Sequence, residues 1–190
     1  MKNESKIPAN AKMVFEGVIF DVWQWEQEMF DGSKQTFEMI KRTNTVRIIA
    51  ISKGKIVILD QEQPGKPPYK SLPAGRIEKD EEPIHAAKRE LLEETGLESN
   101  DWVSWRSDNI SAKIDWTIFT YIARDCIKTH GQNLDHGEKI TAELFSFDEF
   151  INLVDNPLFI EKDLFPIMLR AQYDQKASEE LKLLLGVNRF

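Results

Sequence analysis

Apolar side chains recur among polar ones from Met13 to Phe30, and the run VFEGVIFDVWQWEQEMF is dense in Val, Ile, Phe and Trp. That composition predicts β structure. DGSK, Asp31 to Lys34, carries the residues of a hairpin turn, and a second strand is expected over about Gln35 to Lys41. TVRIIAIS (Thr45 to Ser52) and IVILDQE (Ile56 to Glu62) flank the turn KGK and predict another strand pair. PGKPP, Pro64 to Pro68, reads as a loop, because its prolines cannot donate to a central ladder. Further strands are expected at about Trp102 to Trp105, Trp116 to Ala123 and Lys139 to Phe145. The first dozen residues are polar and expected to fray.

The pattern becomes helical after Glu82. Pro83 suits a first helical turn and Gly96 the position just past a last one, so a helix is predicted between Glu82 and Thr95. Ile84, Ala87 and Leu91 then share one apolar stripe. SFDEFINLV begins on a cap residue, Ser146, and has helical spacing. Ile160 to Tyr173 and Ser178 to Leu185 predict two more helices. Many strands with helices inserted between them imply a layered α/β domain.

Composition narrows the classes. With 190 residues, 41% hydrophobic and 30% charged, the chain can bury a core in one domain of moderate size with a small appendage. A net charge of −7 argues against non-specific nucleic-acid or anionic-membrane binding. It still permits an anionic substrate if cations invert the local charge. Cys126 is the only cysteine, so no intrachain disulfide is possible, and a reducing cytoplasm is the expected location. MKNESKIPANAK has no apolar core of a secretory signal, and no apolar run approaches the roughly 20 residues of a membrane helix. His85, His130 and His136 lack the spacing of a zinc site.

The predicted helix also carries Glu90, Glu93 and Glu94 at i, i+3 and i+4, a second face that is wholly acidic. Like charges at this spacing repel by a few tenths of a kcal/mol per pair when exposed. One reading is a solvated face on which Arg89 pairs with Glu93. The other is a site for a hard divalent cation such as Mg²⁺, which takes carboxylate oxygens and is completed by substrate phosphates. The surrounding pattern separates them. Gly75 is followed after five residues by Glu81, and after seven more by Arg89-Glu90. Two residues on come Glu93-Glu94, then any residue, Gly96 and the apolar Leu97. This spacing resembles the Nudix hydrolase signature at every fixed position. Seven fixed residues at such spacing arise by chance on the order of 10⁻⁷ per start point.

The resemblance implies a Nudix-type α/β/α sandwich with a mixed sheet, preceded by a small N-terminal antiparallel β segment. Residues 1–43 would form that hairpin and dimerisation segment, and 44–190 the Nudix hydrolase domain. It implies hydrolysis of a nucleoside diphosphate linked to another group, with Mg²⁺, or Mn²⁺ as a substitute, offsetting the charge of the diphosphate. Glu90, Glu93, Glu94 and the Ala74 carbonyl are the implied metal ligands. Gly75 would permit a tight loop, Glu81 would brace it, Arg89 would orient the glutamates and Gly96 would end the helix. From Val14 to Phe150 the chain looks like the ADP-ribose pyrophosphatase branch, in which the N-terminal strands pair with a second subunit to complete the pocket. By that likeness Glu138 is the candidate base for the attacking water.

Three positions depart from the branch. DQEQPGK offers Gln61 and Gln63 where the branch commonly has Gln-x-Arg, Ser71 stands where glutamate is usual, and SAKIDW (Ser111 to Trp116) replaces a Pro-Gly turn and acidic residue. Arg47 and Lys70 are candidates for the missing positive charge, and Trp23 and Trp25 share a strand face that could stack on a base or pack across a dimer seam. The expected substrate is ADP-ribose or a related nucleoside diphosphate sugar. The alternatives are another nucleotide (GDP-mannose, a dinucleoside polyphosphate, an oxidised nucleotide) or a non-catalytic nucleotide sensor.

Overall fold

The computed structural model describes residues 5–109, 111–134 and 136–187. Among them the strands, in chain order, are β1 (Lys12–Phe15), β2 (Phe20–Glu28), β3 (Lys34–Arg42), β4 (Thr45–Ser52), β5 (Lys55–Glu62), β6 (Tyr69–Ser71), β7 (Ala74–Arg76), β8 (Leu97–Glu98), β9 (Asp101–Asn109), β10 (Ile114–Asp115), β11 (Thr117–Arg124), β12 (Ile127–Lys128) and β13 (Lys139–Phe145). The helices are α1 (Pro83–Thr95), α2 (Phe147–Ile151), α3 (Phe165–Tyr173) and α4 (Gln175–Leu185).

The central sheet runs β13-β5-β4-β11-β9, with β6 paired to β5 and β7 to β4. β4 and β11 are parallel and their other neighbours antiparallel, so the sheet is mixed. β4 is buried at every position after Thr45, and its run of Val46, Ile48, Ile49, Ala50 and Ile51 suits a strand covered on both faces. Val46, Ile48 and Ala50 pack with Ala86, Ala87 and Leu91 of α1. Ile49 and Ile51 point the other way and pack with Phe147 and Phe150 of α2, Met168 of α3, and Leu181 and Leu185 of α4. The sheet therefore lies between α1 on one face and the three later helices on the other, which is the expected sandwich.

The N-terminal strands form a separate sheet, β1-β2-β3, extended by β10 alongside β3 in parallel. Its tight turn falls at the predicted DGSK, where Gly32 adopts φ 80°. β10 comes from beyond residue 43, so this sheet draws on both parts of the chain. Residues 1–4 of the dozen expected to fray lie outside the described residues. The following ones are tethered: Ser5 Oγ donates to Asp115 Oδ2 at 2.6 Å, and Lys6 Nζ donates to the Ser111 carbonyl.

Several boundaries differ from expectation. The first predicted strand breaks between Phe15 and Phe20, where a side chain at Gly17 would collide with the Phe20 carbonyl. The strand expected near Trp102 runs on to Asn109, held by β11 along its length. α3 starts at Phe165 rather than Ile160, because Pro166 takes a first-turn position and Lys162–Leu164 forms a 3-10 turn before it. α4 starts three residues early because Asp174 caps it, accepting from the Ala177 N–H at 3.2 Å. No described helix is long and apolar enough to cross a membrane.

Candidate active site

β7 holds the Ala74–Gly75 loop against the central strand, with Val46 opposite Gly75 and Arg47 opposite Ala74. The Ile48 N–H adds a bond to the Pro73 carbonyl at 2.8 Å. α1 packs on the same stretch of β4, so its acidic face meets this loop. Gly75 is required for close approach: a Cβ there would overlap the Glu90 carboxylate. Its backbone is not left-handed, so the tight-loop expectation gives way to a steric reason. Gly96 does need its conformation. At φ 68° it ends α1, its N–H donating to the Leu92 carbonyl at 2.7 Å.

Arg89 organises the acidic face. Its guanidinium donates to Glu81 (3.1 Å to each oxygen), Glu90 (2.8 Å), Glu93 (3.0 Å) and the Arg76 carbonyl (2.9 Å). The bond to Glu81, set against burial and aided by Glu90, raises its pKa further. The same bond holds Glu81 below the ordinary carboxylate range, and Glu81 also accepts from the Glu78 N–H at 2.9 Å. The Arg89–Glu93 pair, part-buried rather than solvated, and the bonds of Glu81 to Arg89 and the Glu78 N–H thus belong to one network.

Glu94 is held differently. It is 6% exposed, and among the described residues its side chain accepts one hydrogen bond, from the Ala74 N–H at 2.9 Å. Burial pushes its carboxyl well above the usual range. The Ala74 bond opposes this, and the charges of Glu90, Glu138 and Glu93 add to it. Burial likewise raises Glu90 despite Arg89. A buried carboxylate next to three others is costly unless it is protonated or met by a cation.

These residues border a cleft of about 1160 Å³ that Glu90, Glu93, Glu94 and Glu138 share with Lys41, Arg42, Arg76 and Lys79. Sequence reasoning missed the basic members, which are unremarkable in a polar stretch and are gathered only by the β3–β4 corner and β7. Arg42 lies over the Trp116 ring, 4.2 Å from its centroid, and Trp116 is itself fixed by an Nε1 bond to Thr45 Oγ1 at 3.0 Å. Burial, and then the neighbouring charge of Arg76, lower the Arg42 pKa. None of the ion pairs among the described residues involves Arg42 or Arg76.

The four suggested substrate contacts fall outside this cleft. Arg47 is 1% exposed and lies on the opposite face of β4 from α1, bonded to Glu161, Asp163 and Thr120. Lys70 pairs with Asp60 and Glu143. Trp23 and Trp25 sit on the N-terminal sheet, Trp23 near Lys41 and Trp25 against Phe37, and neither lines the cleft of the single chain. The departures at Gln61 and Ser71 do meet each other. Gln61 Nε2 donates to Ser71 Oγ at 2.7 Å and Tyr69 donates to Gln61 Oε1 at 2.8 Å. Burial, then Glu138 and Glu94, raise the Tyr69 pKa, so this chain of bonds lies close to the acidic face.

The carboxylates and the Ala74 carbonyl are hard oxygen donors of the type a small divalent cation takes. Among the described residues no three acidic, histidine or cysteine side chains are gathered into a ready cage. Glu90 and Glu93 turn to Arg89 instead. The fit rests on the donor type and on Glu94, whose buried carboxyl has no cationic partner among the described residues.

Fold and signature agree with the comparisons. The chain matches the NUDIX domain over residues 41–166, and it belongs to the Nudix hydrolase family. Within that family it is similar to the ADP-ribose pyrophosphatase of Bacillus subtilis (strain 168), at 33% identity over 160 residues, 82% of this chain and 86% of that protein. It is also similar to the methanol dehydrogenase activator of Bacillus methanolicus, at 31% identity over 172 residues, 87% of this chain and 84% of that protein. A crystal structure of an ADP compounds hydrolase shares the fold, with a TM-score of 0.73 and 20% identity over 93% of this chain and 98% of that one.

Proposed function

We propose that this chain hydrolyses the pyrophosphate bond of ADP-ribose or a related nucleoside diphosphate sugar, yielding a nucleoside monophosphate and a sugar phosphate. One observation carries the reading: a single cleft sets Glu90, Glu93, Glu94 and Glu138 beside Arg42 and Arg76, neither of which has an ion-pair partner among the described residues. A diphosphate fits such a bipolar cleft. Its anionic oxygens match the guanidiniums directly and match the carboxylates only through a cation.

Glu90, Glu93, Glu94 and the Ala74 carbonyl would hold Mg²⁺, or Mn²⁺ in its place. Bound there, the cation supplies charge neutralisation and an electrophilic pull on the phosphoryl oxygens. Arg89 keeps Glu90 and Glu93 oriented through its bonds to both. Glu138, on the segment leading into β13, accepts a proton from the attacking water. Arg42 and Arg76 hold phosphate oxygens, and Trp116 fixes the Arg42 plane. In-line displacement at phosphorus needs this positioning and charge rather than a protein nucleophile.

The functional unit is proposed to be a homodimer joined through the N-terminal sheet. Phe15 is 61% exposed, Val18 97% and Ile19 52%, a strip of large apolar side chains that a second copy would cover.

The test is a coupled phosphate-release assay with Mg²⁺ over ADP-ribose, other nucleoside diphosphate sugars, GDP-mannose, dinucleoside polyphosphates and oxidised nucleotides. Highest kcat/KM on ADP-ribose or a related sugar nucleotide is expected. Preference for another member reassigns the substrate, and binding without turnover of any member discards the catalytic reading.

A further inference from the structure

The segment 128–133 meets the end of α1 and serves the carbonyls that a helix leaves open there. Lys128 Nζ donates to the Thr95 carbonyl at 2.9 Å, Thr129 N to that of Gly96 at 3.0 Å, and Asn133 N to that of Glu93 at 2.9 Å. Gln132 does something the others do not. Its Nε2 donates to the Glu94 carbonyl at 2.6 Å and also to the Ile140 carbonyl at 3.1 Å. An amide nitrogen has two hydrogens, and both are used. One grips the backbone of the buried glutamate on α1. The other grips the start of β13, two residues past Glu138.

The chain between Gln132 and Ile140 carries Glu138 to the cleft, so this one side chain ties the neck of that segment to the helix bearing Glu90, Glu93 and Glu94. We propose that Gln132 is a positioning residue that sets Glu138 against the helix carboxylates. Helix capping accounts for the bond to Glu94 but not for the bond to Ile140, which joins two parts of the site. The proposal rests on Glu138 being the group that takes the proton from water. It adds that the position of Glu138 depends on an amide that touches neither substrate nor metal.

The experiment uses the full chain. Gln132→Ala removes both bonds. Gln132→Glu keeps the shape but sets an acceptor-only group against two carbonyls. Melting scans first establish that each variant folds. In both, kcat should fall about ten- to hundredfold, the scale of a small misplacement of a reacting group, while KM stays within about twofold. Amide hydrogen exchange at Gly137, Glu138 and Ile140 should quicken, a readout independent of turnover. In a Glu138→Gln background the Gln132→Ala loss should shrink to under about twofold, because the group it positions is already gone. A slow Glu138→Gln with unimpaired Gln132 variants overturns the clamp alone. So does a Gln132 penalty that repeats undiminished in that background, which marks an ordinary structural role. A Glu138→Gln enzyme at the full rate removes the base from Glu138, and the clamp falls with it.

Discussion

Glu94 is a charged residue in surroundings that disfavour charge, and this separates its role in function from its role in folding. Glu94→Gln keeps the shape and can still accept from the Ala74 N–H, while removing a carboxylate that burial and three neighbours destabilise. Turnover should drop by more than the roughly 10–100-fold that changes outside a metal's direct ligands cause. The melting temperature of the metal-free protein should not fall. Wild-type turnover in the variant would remove Glu94 from the metal set. Gly75→Ala should also lose activity, since its Cβ must displace the Glu90 carboxylate. Restored turnover on adding Glu90→Ala to Gly75→Ala would be incompatible with this assignment. The acidic residues were legible in the sequence because helical spacing alone puts them on one face. The reason for Gly75 was not, because it depends on how close a side chain fifteen positions later comes.

Arg47 shows the same limit for an element. Within TVRIIAIS it stands as one polar residue in an apolar run, and its partners Glu161 and Asp163 lie 114 and 116 positions away. Only the folded chain brings the 3-10 turn before α3 onto β4. Arg47→Met would leave two carboxylates in that site without their cation, and it should cost about 3–5 kcal/mol in denaturant unfolding. A loss below about 1 kcal/mol would mean that the cluster relaxes into solvent. Burial pushes Asp163 upward, but the hydrogen bond and charge of Arg47 outweigh it and hold its carboxyl below the ordinary range. A lowered folded pKa stabilises above the unfolded value, and this contribution is lost as pH falls through the folded one. Burial raises Glu161 instead, over the opposing pull of Arg47, so its contribution has the opposite sign. Asp163→Asn should therefore flatten the loss of stability on acidification. Glu161→Gln should not, and equal acid profiles for the two variants would contradict the assignment. Long periodic elements such as α1, β4 and β13 were legible from pattern. The two-residue pair β8 and β12 was not, since two residues carry no period.

At the scale of the whole molecule the apolar strip on β1 and its turn is left over after both cores are filled. Met13, Val14 and Phe15 are all at least 45% exposed, and Val18 and Ile19 continue the strip. The family likeness made a dimerisation segment an expectation from the first 43 residues, but the pattern alone marked them only as strands. It could not separate a buried face from an uncovered one. If a second copy covers the strip, a charge placed on it should act on assembly before it acts on folding. Phe15→Glu with Val18→Glu should shift the sedimentation coefficient from dimer to monomer with little change in melting temperature at high protein concentration. If the partner also completes the pocket, KM should rise with that shift, and at low concentration the unmodified protein should lose activity in step with its own dissociation. An unmodified chain that sediments as a monomer at every concentration, with kcat/KM independent of dilution, would leave the strip to another partner and make the single-chain cleft the whole active site.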